Sequence, residues 1–348
     1  MSEIRWKFRP KAEGEIKIDP IQDSFFTTSD VGSIANGLVR ESIQNSLDAR
    51  RDKKKLPAFV RFYINYTGLD YEDFSRYLSG LEEHIKSEKS GTANIDFDSF
   101  NSKIPYILVE DYNTTGLEGD PHEDDEAEDK PKEKHNFYWF WRNIARSEKS
   151  EDDLGRWGVG KTVFPASSMI NTFFGVTIRN DDRKRLLMGQ CVLKYHQLSN
   201  GKWYSPYGFY GLYPTDETYK SLPVTEEQNK EFIDVFESQF NLKRRVNPLL
   251  DENSGTSIVI PLPREEITKE NICKATLEQY FYPIIAGNLI VEIETNGGET
   301  ITIDKESIYN VAKKINFDNQ SENKNLLRLY YLTRQTFLFR DIDYVQFK

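Results

Sequence analysis

Cysteine is scarce in this chain, with two residues among 348. Cys191 and Cys273 lie far apart and lack the paired spacing of a zinc site or a disulfide framework. Both are therefore predicted to be reduced thiols that pack in the core. We expect neither thiol chemistry nor a cysteine-held metal.

Long apolar runs and an excess of basic residues are also missing. No segment approaches the roughly 18 consecutive apolar residues that a membrane helix needs. The N-terminus reads Met-Ser-Glu-Ile-Arg-Trp-Lys-Phe and lacks the apolar core of a signal peptide. The formal net charge of -10 does not favour autonomous nucleic-acid binding. The run Lys243-Arg244-Arg245 could still form a local basic patch. We expect a cytoplasmic protein without a membrane segment.

Apolar residues make up 38% of the 348 residues, enough for one large or two ordinary domains. Helical spacing predicts helices at 31–51, 71–86, 137–145, 161–168, 226–240, 270–282, 305–314 and 326–337. Ser29 or Asp30 is the expected N-cap of the first helix. Strands are predicted at 59–66, 106–110, 172–178, 186–195, 257–261, 290–294 and 300–303, with 204–213 as a loop or edge strand. The first thirty residues are expected to form an extended arm or an edge strand.

Polar residues interrupt the apolar stripe of the first predicted helix. The stripe consists of Val31, Ile34, Leu38, Glu41, Asn45 and Asp48. Steps of three and four residues place these side chains on one helix face, and a face that packs on a core should stay apolar. Burying the polar half without partners would cost about 2 kcal/mol or more per group. The stripe therefore predicts a polar site that meets a ligand or a metal.

A second polar segment, after the strand predicted at 106–110, reads Glu110-Asp111-Tyr112-Asn113-Thr114-Thr115-Gly116. A carboxylate at the end of a buried strand can face the floor of a pocket. Ordinary turns begin with the same residue types, so both interpretations stay open. A third piece, Ser254-Gly255-Thr256, could place a hydroxyl beside a ligand, or it could simply lead into the strand that follows.

The segment from Gly155 to Thr162 fits two phosphate-binding patterns. It matches the P-loop pattern G-x-x-x-x-G-K-[ST], but that motif follows a buried strand directly, and the polar residues 146–153 cannot form one. It also fits G-x-x-G-x-G at Gly155, Gly158 and Gly160, ahead of the short helix predicted at 161–168. Glycines would let backbone N–H groups approach phosphates, and a helix N-terminus would favour the anion. A plain connector is the alternative.

In this order and spacing, the four pieces together resemble the nucleotide site of the GHKL (Bergerat) ATPases. The family includes gyrase B-type subunits, the large heat-shock chaperones, sensor histidine kinases and MutL. Residues 41–49 resemble its first motif, E-x-x-x-N-[SA]-x-D-A. Asp111 with Gly116 resembles the second motif, residues 155–160 the third, and Gly255-Thr256 the fourth. The resemblance covers residues 41–256, about two thirds of the chain.

This resemblance implies ATP and Mg²⁺ as ligands. It implies that Asn45 ligates Mg²⁺ through its amide oxygen, that Glu41 is the general base, and that Asp111 accepts a hydrogen bond from the adenine amino group. Thr256 would support Asp111 on the adenine side, and Asp48 would touch the nucleotide or orient the site. The remaining predicted nucleotide-binding residues are Gly116 and, in a lid with backbone donors to the phosphates, Gly155, Gly158, Val159, Gly160, Lys161 and Thr162.

The second motif departs from the family pattern D-x-G-x-G. Asp111 is followed by Asn113, Thr115 and Gly116, so the segment is one residue longer and has a single glycine. This variant resembles that of bacterial ATP-binding proteins, some of which accompany phage-defence genes.

The resulting hypothesis is a Mg²⁺-dependent ATPase with slow turnover. Its nucleotide state would close the lid, order the arm, and drive formation of a homodimer or engagement of a protein partner. A module that senses ATP without hydrolysis is one alternative. A histidine kinase is disfavoured because the phosphoacceptor histidine precedes the first motif in that branch, whereas all four histidines here follow it. A P-loop NTPase that uses Lys161 and Thr162 is the third alternative.

The expected fold is α/β, a two-layer sandwich in which helices cover one face of a mixed, mostly antiparallel sheet. Residues 1–29 would form an N-terminal arm, residues 30–265 the ATP-binding domain, and residues 266–348 a C-terminal extension. The extension would either complete the sheet or begin a transducer-like domain that supplies a lysine to the γ-phosphate. The candidate lysines are Lys305, Lys313, Lys314 and Lys324.

Overall fold

Eleven strands join in one sheet among the residues that the structure, a computed structural model, describes. These residues are 3–20, 33–51, 56–92, 95, 102–123, 135–142, 162–215, 217–243, 254–315, 325, 328–333 and 335. The strands are β1 (Glu3–Pro10), β2 (Ala58–Asp70), β3 (Lys103–Tyr112), β4 (Thr172–Ile178), β5 (Arg185–Val192), β6 (His196–Gln197), β7 (Trp203–Tyr213), β8 (Val224–Thr225), β9 (Gly255–Pro261), β10 (Leu289–Thr295) and β11 (Ile301–Ile303).

Among the described residues, seven helices lie between these strands in the chain and one follows β11. They are α1 (Ile34–Asp48), α2 (Tyr71–Ser75), α3 (Glu82–Ile85), α4 (Asn136–Trp141), α5 (Val163–Ala166), α6 (Glu226–Gln239), α7 (Lys269–Ile285) and α8 (Ile308–Lys314). None of the described helices is long and apolar enough to cross a membrane.

The sheet is mixed and mostly antiparallel, as predicted. Its strand order is β1-β7-β5-β4-β9-β3-β2-β10-β11, with β6 paired to β7 and β8 to β5. Among the described strands, β2 and β10 form the parallel pair, and each other pairing is antiparallel. Residues after 266 thus add β10 beside β2, and β11 beside β10. The division of the chain at residue 266 stays a prediction.

Alternation along the central strands divides the core into two parts, one on each face of the sheet. On β3, Ile107 and Val109 face the core formed with α1 and α7, whereas Tyr106 and Leu108 face the core formed with α6. Successive side chains of a strand point to opposite faces, which explains this division. The α/β class is confirmed. The prediction of helices on one face is incomplete, because α2, α3 and α6 also cover the second face.

Helix α1 begins later than the sequence predicted. Its N-cap is Ser33, whose hydroxyl accepts a hydrogen bond from the Asn36 N–H, whereas the predicted N-caps Ser29 and Asp30 lie outside the described residues. Ile34 and Leu38 are buried against the sheet, and each contributes about 2 kcal/mol of hydrophobic stabilisation. Val31 lies outside the described residues. The apolar half of the stripe thus fixes α1 over the sheet.

Two further predictions change in detail. Residues 71–86 form the two short helices α2 and α3 instead of one, because the backbone between them bonds to the edge strand β1 through the Trp6 N–H and the Ser79 carbonyl. Residues 203–213 form the strand β7, which lies between β1 and β5. The predicted N-terminal edge strand is found as β1, and described residues at 328–333 are helical as expected.

Candidate functional site

The Asp111 carboxylate lies at the end of β3, on the sheet face that α1 covers. Its Oδ1 accepts two hydrogen bonds, one from the Thr256 backbone N–H of β9 at 2.8 Å and one from the Thr114 hydroxyl at 2.7 Å. Its Oδ2 lies 3.4 Å from the Ser46 hydroxyl of α1. The structure therefore brings together three of the four predicted motifs at this half-buried carboxylate.

The loop after Asp111 is bonded to the end of α1. The Thr115 N–H donates to the Ala49 carbonyl at 2.9 Å, and the Asn113 carbonyl accepts from the Arg51 N–H at 3.0 Å. Asn113 adopts a φ of 62°, a left-handed conformation that asparagine tolerates. Asn113 stands where the pattern D-x-G-x-G has its first glycine.

Only glycine fits the backbone conformation and the space at position 116. Its φ is +67°, and a Cβ there would lie 2.5 Å from the Ile178 carbonyl oxygen and 2.9 Å from the Thr177 hydroxyl. Backbone atoms cannot yield at such distances, so a side chain would displace the loop from β4. Gly116 therefore holds the loop close to the sheet, and its predicted role in binding nucleotide stays a prediction.

The polar half of the α1 stripe is not buried as the sequence predicted. Glu41 and Asn45 are half-buried, and Asp48 is exposed and accepts a hydrogen bond from the Gln44 amide. The buried polar residues of this region are Ser42 and Ser46. A carboxylate that keeps part of its hydration avoids the full cost of burial, which is consistent with this partial exposure.

Glu41 and Asn45 form a pair one helical turn apart. The Asn45 Nδ2 donates to Glu41 Oε1 at 3.0 Å. Because an ionised carboxylate only accepts hydrogen bonds, the amide nitrogen faces Glu41 and the amide oxygen turns away from it. An amide oxygen is a hard donor that suits Mg²⁺, so Asn45 fits the predicted metal-ligand role. Among the described residues, no group of three or more His, Cys, Asp or Glu is placed to hold a metal ion.

The predicted lid falls largely outside the described residues. These outside residues are Gly155, Gly158, Val159, Gly160 and Lys161. Thr162 is described and is 5% exposed, directly before α5, which packs beside α1. The helix predicted at 161–168 has only four residues, 163–166, so the expected helix-dipole contribution to anion binding is not supported.

Three of the four histidines are buried and hydrogen bonded. The His196 Nδ1 donates to the Lys194 carbonyl at 2.8 Å, so its Nε2 accepts from the His84 Nδ1 at 2.6 Å. Burial and the neighbouring His196 lower the pKa of His84 to about 3, and burial lowers the pKa of His196 as well. His135 contacts Glu123 at 2.7 Å. These positions suit structural roles better than that of an accessible phosphoacceptor.

Sequence reasoning missed several hydroxyl groups around the site. Thr114 contacts Asp111 directly, Ser254 donates to the Thr114 carbonyl at 2.7 Å, and the Thr177 hydroxyl accepts from the Leu117 N–H at 2.9 Å. Ser46 lies next to Asn45 within the first motif, and Ser254 lies within the piece that was expected to place a hydroxyl beside a ligand, whereas no motif marks Thr114 or Thr177. Thr256 was predicted to support Asp111, and it does so through its backbone N–H.

Solved structures that are similar to this chain include ATPase regions of type II topoisomerases. The ATPase region of Saccharomyces cerevisiae topoisomerase II is 12% identical with a TM-score of 0.33, and the alignment covers 89% of this chain and 58% of that chain. For the ATPase and transducer domains of DNA topoisomerase II from Balamuthia mandrillaris, the identity is 11%, the TM-score 0.36, and the coverages 88% and 57%.

The N-terminal domain of a DNA repair protein is also similar, at 12% identity and a TM-score of 0.32, with 81% of this chain and 59% of that chain covered. This chain thus spans less than two thirds of the length of each of these structures. No protein-family model matches the chain, and no match is found among curated proteins. With TM-scores of 0.32 to 0.36, these structures carry no argument about this chain, and the function is argued from the residues of the site.

Proposed function

We propose that this chain binds ATP with Mg²⁺ and hydrolyses it slowly. The observation that carries the proposal is the Asp111 carboxylate, fixed by two donors on Oδ1 and turned with Oδ2 toward the helix that presents Glu41 and Asn45. A carboxylate accepts hydrogen bonds only, so it selects a ligand that offers an N–H donor. The adenine amino group is such a donor, whereas guanine presents a carbonyl at the same ring position.

The polar pair on α1 is proposed to serve the phosphate end of the nucleotide. Asn45 immediately precedes Ser46, the residue that meets Asp111, so its side chain lies roughly 100° around the helix from that contact. Asn45 would hold Mg²⁺ through its amide oxygen, and the ion would neutralise charge on the triphosphate. Asp48, one turn further along, is proposed to orient this face through its bond with Gln44.

Glu41 is proposed to act as the general base. It would take a proton from a water molecule whose oxygen attacks the γ-phosphorus, while the bond from that phosphorus to the β–γ bridging oxygen breaks. The products are ADP and inorganic phosphate. The residues from Gly155 to Thr162 are proposed to close over the phosphates, because α5, at the end of this segment, packs beside the same helix α1.

Glu41→Gln is expected to keep ATP binding and lose hydrolysis. Glutamine retains an oxygen that accepts from the Asn45 amide, so the pair on α1 persists while the base is removed. Turnover should fall by about 100-fold or more, with the Kd for ATP within about threefold of wild type. Calorimetric titration of ATP with Mg²⁺ and a phosphate-release assay measure the two effects, and Glu41→Ala should behave alike in turnover.

The wild-type protein provides the reference for this test. If it neither binds nor hydrolyses ATP with Mg²⁺ present, the proposed function is wrong. Binding without turnover would instead identify an ATP-sensing module. Hydrolysis by Glu41→Gln at the wild-type rate would remove Glu41 from the proposed base role while leaving the binding site in place.

The nucleotide state is further proposed to control association of two copies through the N-terminal arm. Glu15 and Asp19 hold this arm against Tyr195, with bonds of 2.7 and 2.8 Å, while Ile16 and Ile18 point outward at 77% and 71% exposure. A second copy would cover these apolar side chains. Light scattering should then show a doubled mass with a non-hydrolysable ATP analogue, and an unchanged mass would contradict this part.

A further inference from the structure

We propose that Thr114 is a positioning residue whose hydroxyl orients Asp111 for binding the adenine ring. The inference rests on the proposed function, since it concerns the carboxylate that would meet adenine. Thr114 is fully buried and donates to Asp111 Oδ1 at 2.7 Å. It belongs to the stretch in which this loop departs from the family pattern, so no motif assigns it a role.

The Asp111 carboxylate needs external bonds to keep one orientation. The torsion between Cβ and Cγ of aspartate joins an sp³ to an sp² carbon and has broad, shallow preferences. A single hydrogen bond would leave the carboxylate plane free to rotate about the Cβ–Cγ bond. Thr256 and Thr114 donate to the same oxygen from β9 and from the loop, and two donors from different elements fix the plane. Oδ2 is then held toward α1.

Ser46 cannot replace Thr114 in this task. Its hydroxyl has one proton, and that proton is given to the Ser42 carbonyl at 2.7 Å. The 3.4 Å separation between Ser46 and Asp111 Oδ2 is at the outer limit of a hydrogen bond. Of these two hydroxyl contacts with Asp111, the one from Thr114 is shorter, at 2.7 Å against 3.4 Å, and it uses the hydroxyl proton.

Thr114 is itself held on both sides, which makes it a firm support. Its carbonyl accepts from the Ser254 hydroxyl at 2.7 Å, just before β9, and its backbone forms an isolated bridge with Arg50 after α1. Through its backbone and its hydroxyl, Thr114 therefore links the ends of α1, β3 and β9 at the point where the proposed adenine site lies. A ligand at Asp111 would meet an acceptor that is already oriented, which lowers the cost of ordering it on binding.

Thr115 offers a matched control in the same loop. Its hydroxyl donates at 3.1 Å to the carbonyl of its neighbour Gly116 and not to Asp111. Threonine and valine have nearly the same shape, so Thr114→Val and Thr115→Val each remove one hydroxyl and add no bulk. Only the first variant takes a donor from Asp111, whereas both change the polarity of the loop.

The experiment compares ATP titrations with Mg²⁺ for wild type, Thr114→Val, Thr114→Ser and Thr115→Val, together with their melting temperatures and their KM and kcat values. We expect Thr114→Val to raise the Kd and KM for ATP about tenfold or more and to leave kcat within about threefold. Thr114→Ser restores the hydroxyl and should bind like wild type. Thr115→Val should also bind like wild type. A merely structural role would instead lower stability without this selective change in KM and its rescue by serine.

Each other outcome is decisive. If the wild type binds ATP and folded Thr114→Val binds it within about twofold of wild type, the inference is wrong and the proposed function stands. If the wild type does not bind ATP, both are wrong. Should Thr114→Val fail to fold, Thr114→Ala and Thr114→Ser form the replacement pair: equal affinity of the two would overturn the inference, and weaker binding by the alanine variant alone would support it.

Discussion

Asp111→Asn is expected to weaken ATP binding by about 100-fold or more. The Thr256 N–H is a fixed backbone donor at 2.8 Å, so the asparagine oxygen must take the place of Oδ1, and the amide NH₂ must take the place of Oδ2. An N–H donor then faces the adenine amino group, which is also a donor. Loss of a charged acceptor together with this repulsion accounts for about 2.8 kcal/mol or more, since each 1.4 kcal/mol is tenfold.

The same geometry predicts a change in base preference. An amide NH₂ would donate to the carbonyl oxygen that guanine offers there, whereas adenine presents a second donor. The ratio of GTP to ATP affinity should therefore rise in Asp111→Asn, which simple unfolding of the site would not produce. Calorimetry with both nucleotides measures it, and Asp120→Asn, the same change at an exposed loop carboxylate, is the control that should bind like wild type.

Lys161→Ala separates this account from the P-loop alternative. In the proposed site the backbone between Val159 and Thr162 contacts the phosphates, so loss of the lysine side chain should matter far less than loss of the Asp111 carboxylate. The opposite pattern, in which Lys161→Ala abolishes binding and Asp111→Asn leaves it intact, would favour a P-loop NTPase.

The site could be predicted from the sequence where local spacing carries the information. Glu41 and Asn45 are four residues apart on one helix, and their contact follows from helical geometry alone. Their degree of burial does not follow from it, because burial depends on where the rest of the chain lies relative to that face. The exposure of Asp48 is the clearest case, since the stripe pattern placed it with buried residues.

Contacts between distant segments were harder to foresee. The family resemblance implied that Thr256 supports Asp111, but the donor is its backbone N–H, which any residue except proline provides. Thr114 was indistinguishable from an ordinary turn residue, because its hydroxyl matters only once β3 and β9 are paired. Glu110 is the last residue of the strand predicted at 106–110, and its partner Arg61 lies 49 residues away on β2.

Arg61 and Glu110 form the centre of a charged cluster on the face of the sheet opposite Asp111. Arg61 is 1% exposed and Glu110 is fully buried, and the guanidinium donates to the carboxylate at 2.7 Å. Glu110 also accepts from the hydroxyls of Tyr112 and Ser257, each at 2.9 Å. These hydrogen bonds to the Glu110 carboxylate replace bonds to water, and they thereby offset the cost of burying its charge.

Glu294 on β10 completes the cluster at its exposed edge. Arg61 donates to it at 3.0 Å and the Lys243 ammonium at 2.7 Å. Partial burial alone would raise the pKa of Glu294, but the hydrogen bond from Lys243 and the charge of Arg61 lower it below its ordinary value. Arg61 thus ties β2 to β3 on one side and to β10 on the other.

Arg61→Met is therefore expected to lower the free energy of unfolding by about 3–5 kcal/mol, since it leaves the Glu110 carboxylate buried without its cation. Arg61→Met/Glu110→Leu should recover most of this loss, because an apolar pair of similar volume carries no desolvation cost. Lys103→Met removes an exposed ion pair with Asp70 on the same two strands and should cost less than about 1 kcal/mol. Urea denaturation measures all three variants.

The location of this cluster makes the recovery in the double variant informative about the site. Glu110 on β3 lies opposite Ser257 on β9. Glu110 directly precedes Asp111, Ser257 directly follows Thr256, and Asp111 and Thr256 meet on the other face of the sheet. If the cluster only stabilises the sheet, the double variant regains both stability and ATP affinity. If the bond between Glu110 and Ser257 also fixes the spacing of the two strands at Asp111, stability returns while ATP affinity stays low. An Arg61→Met protein as stable as wild type would contradict the account of the buried pair itself.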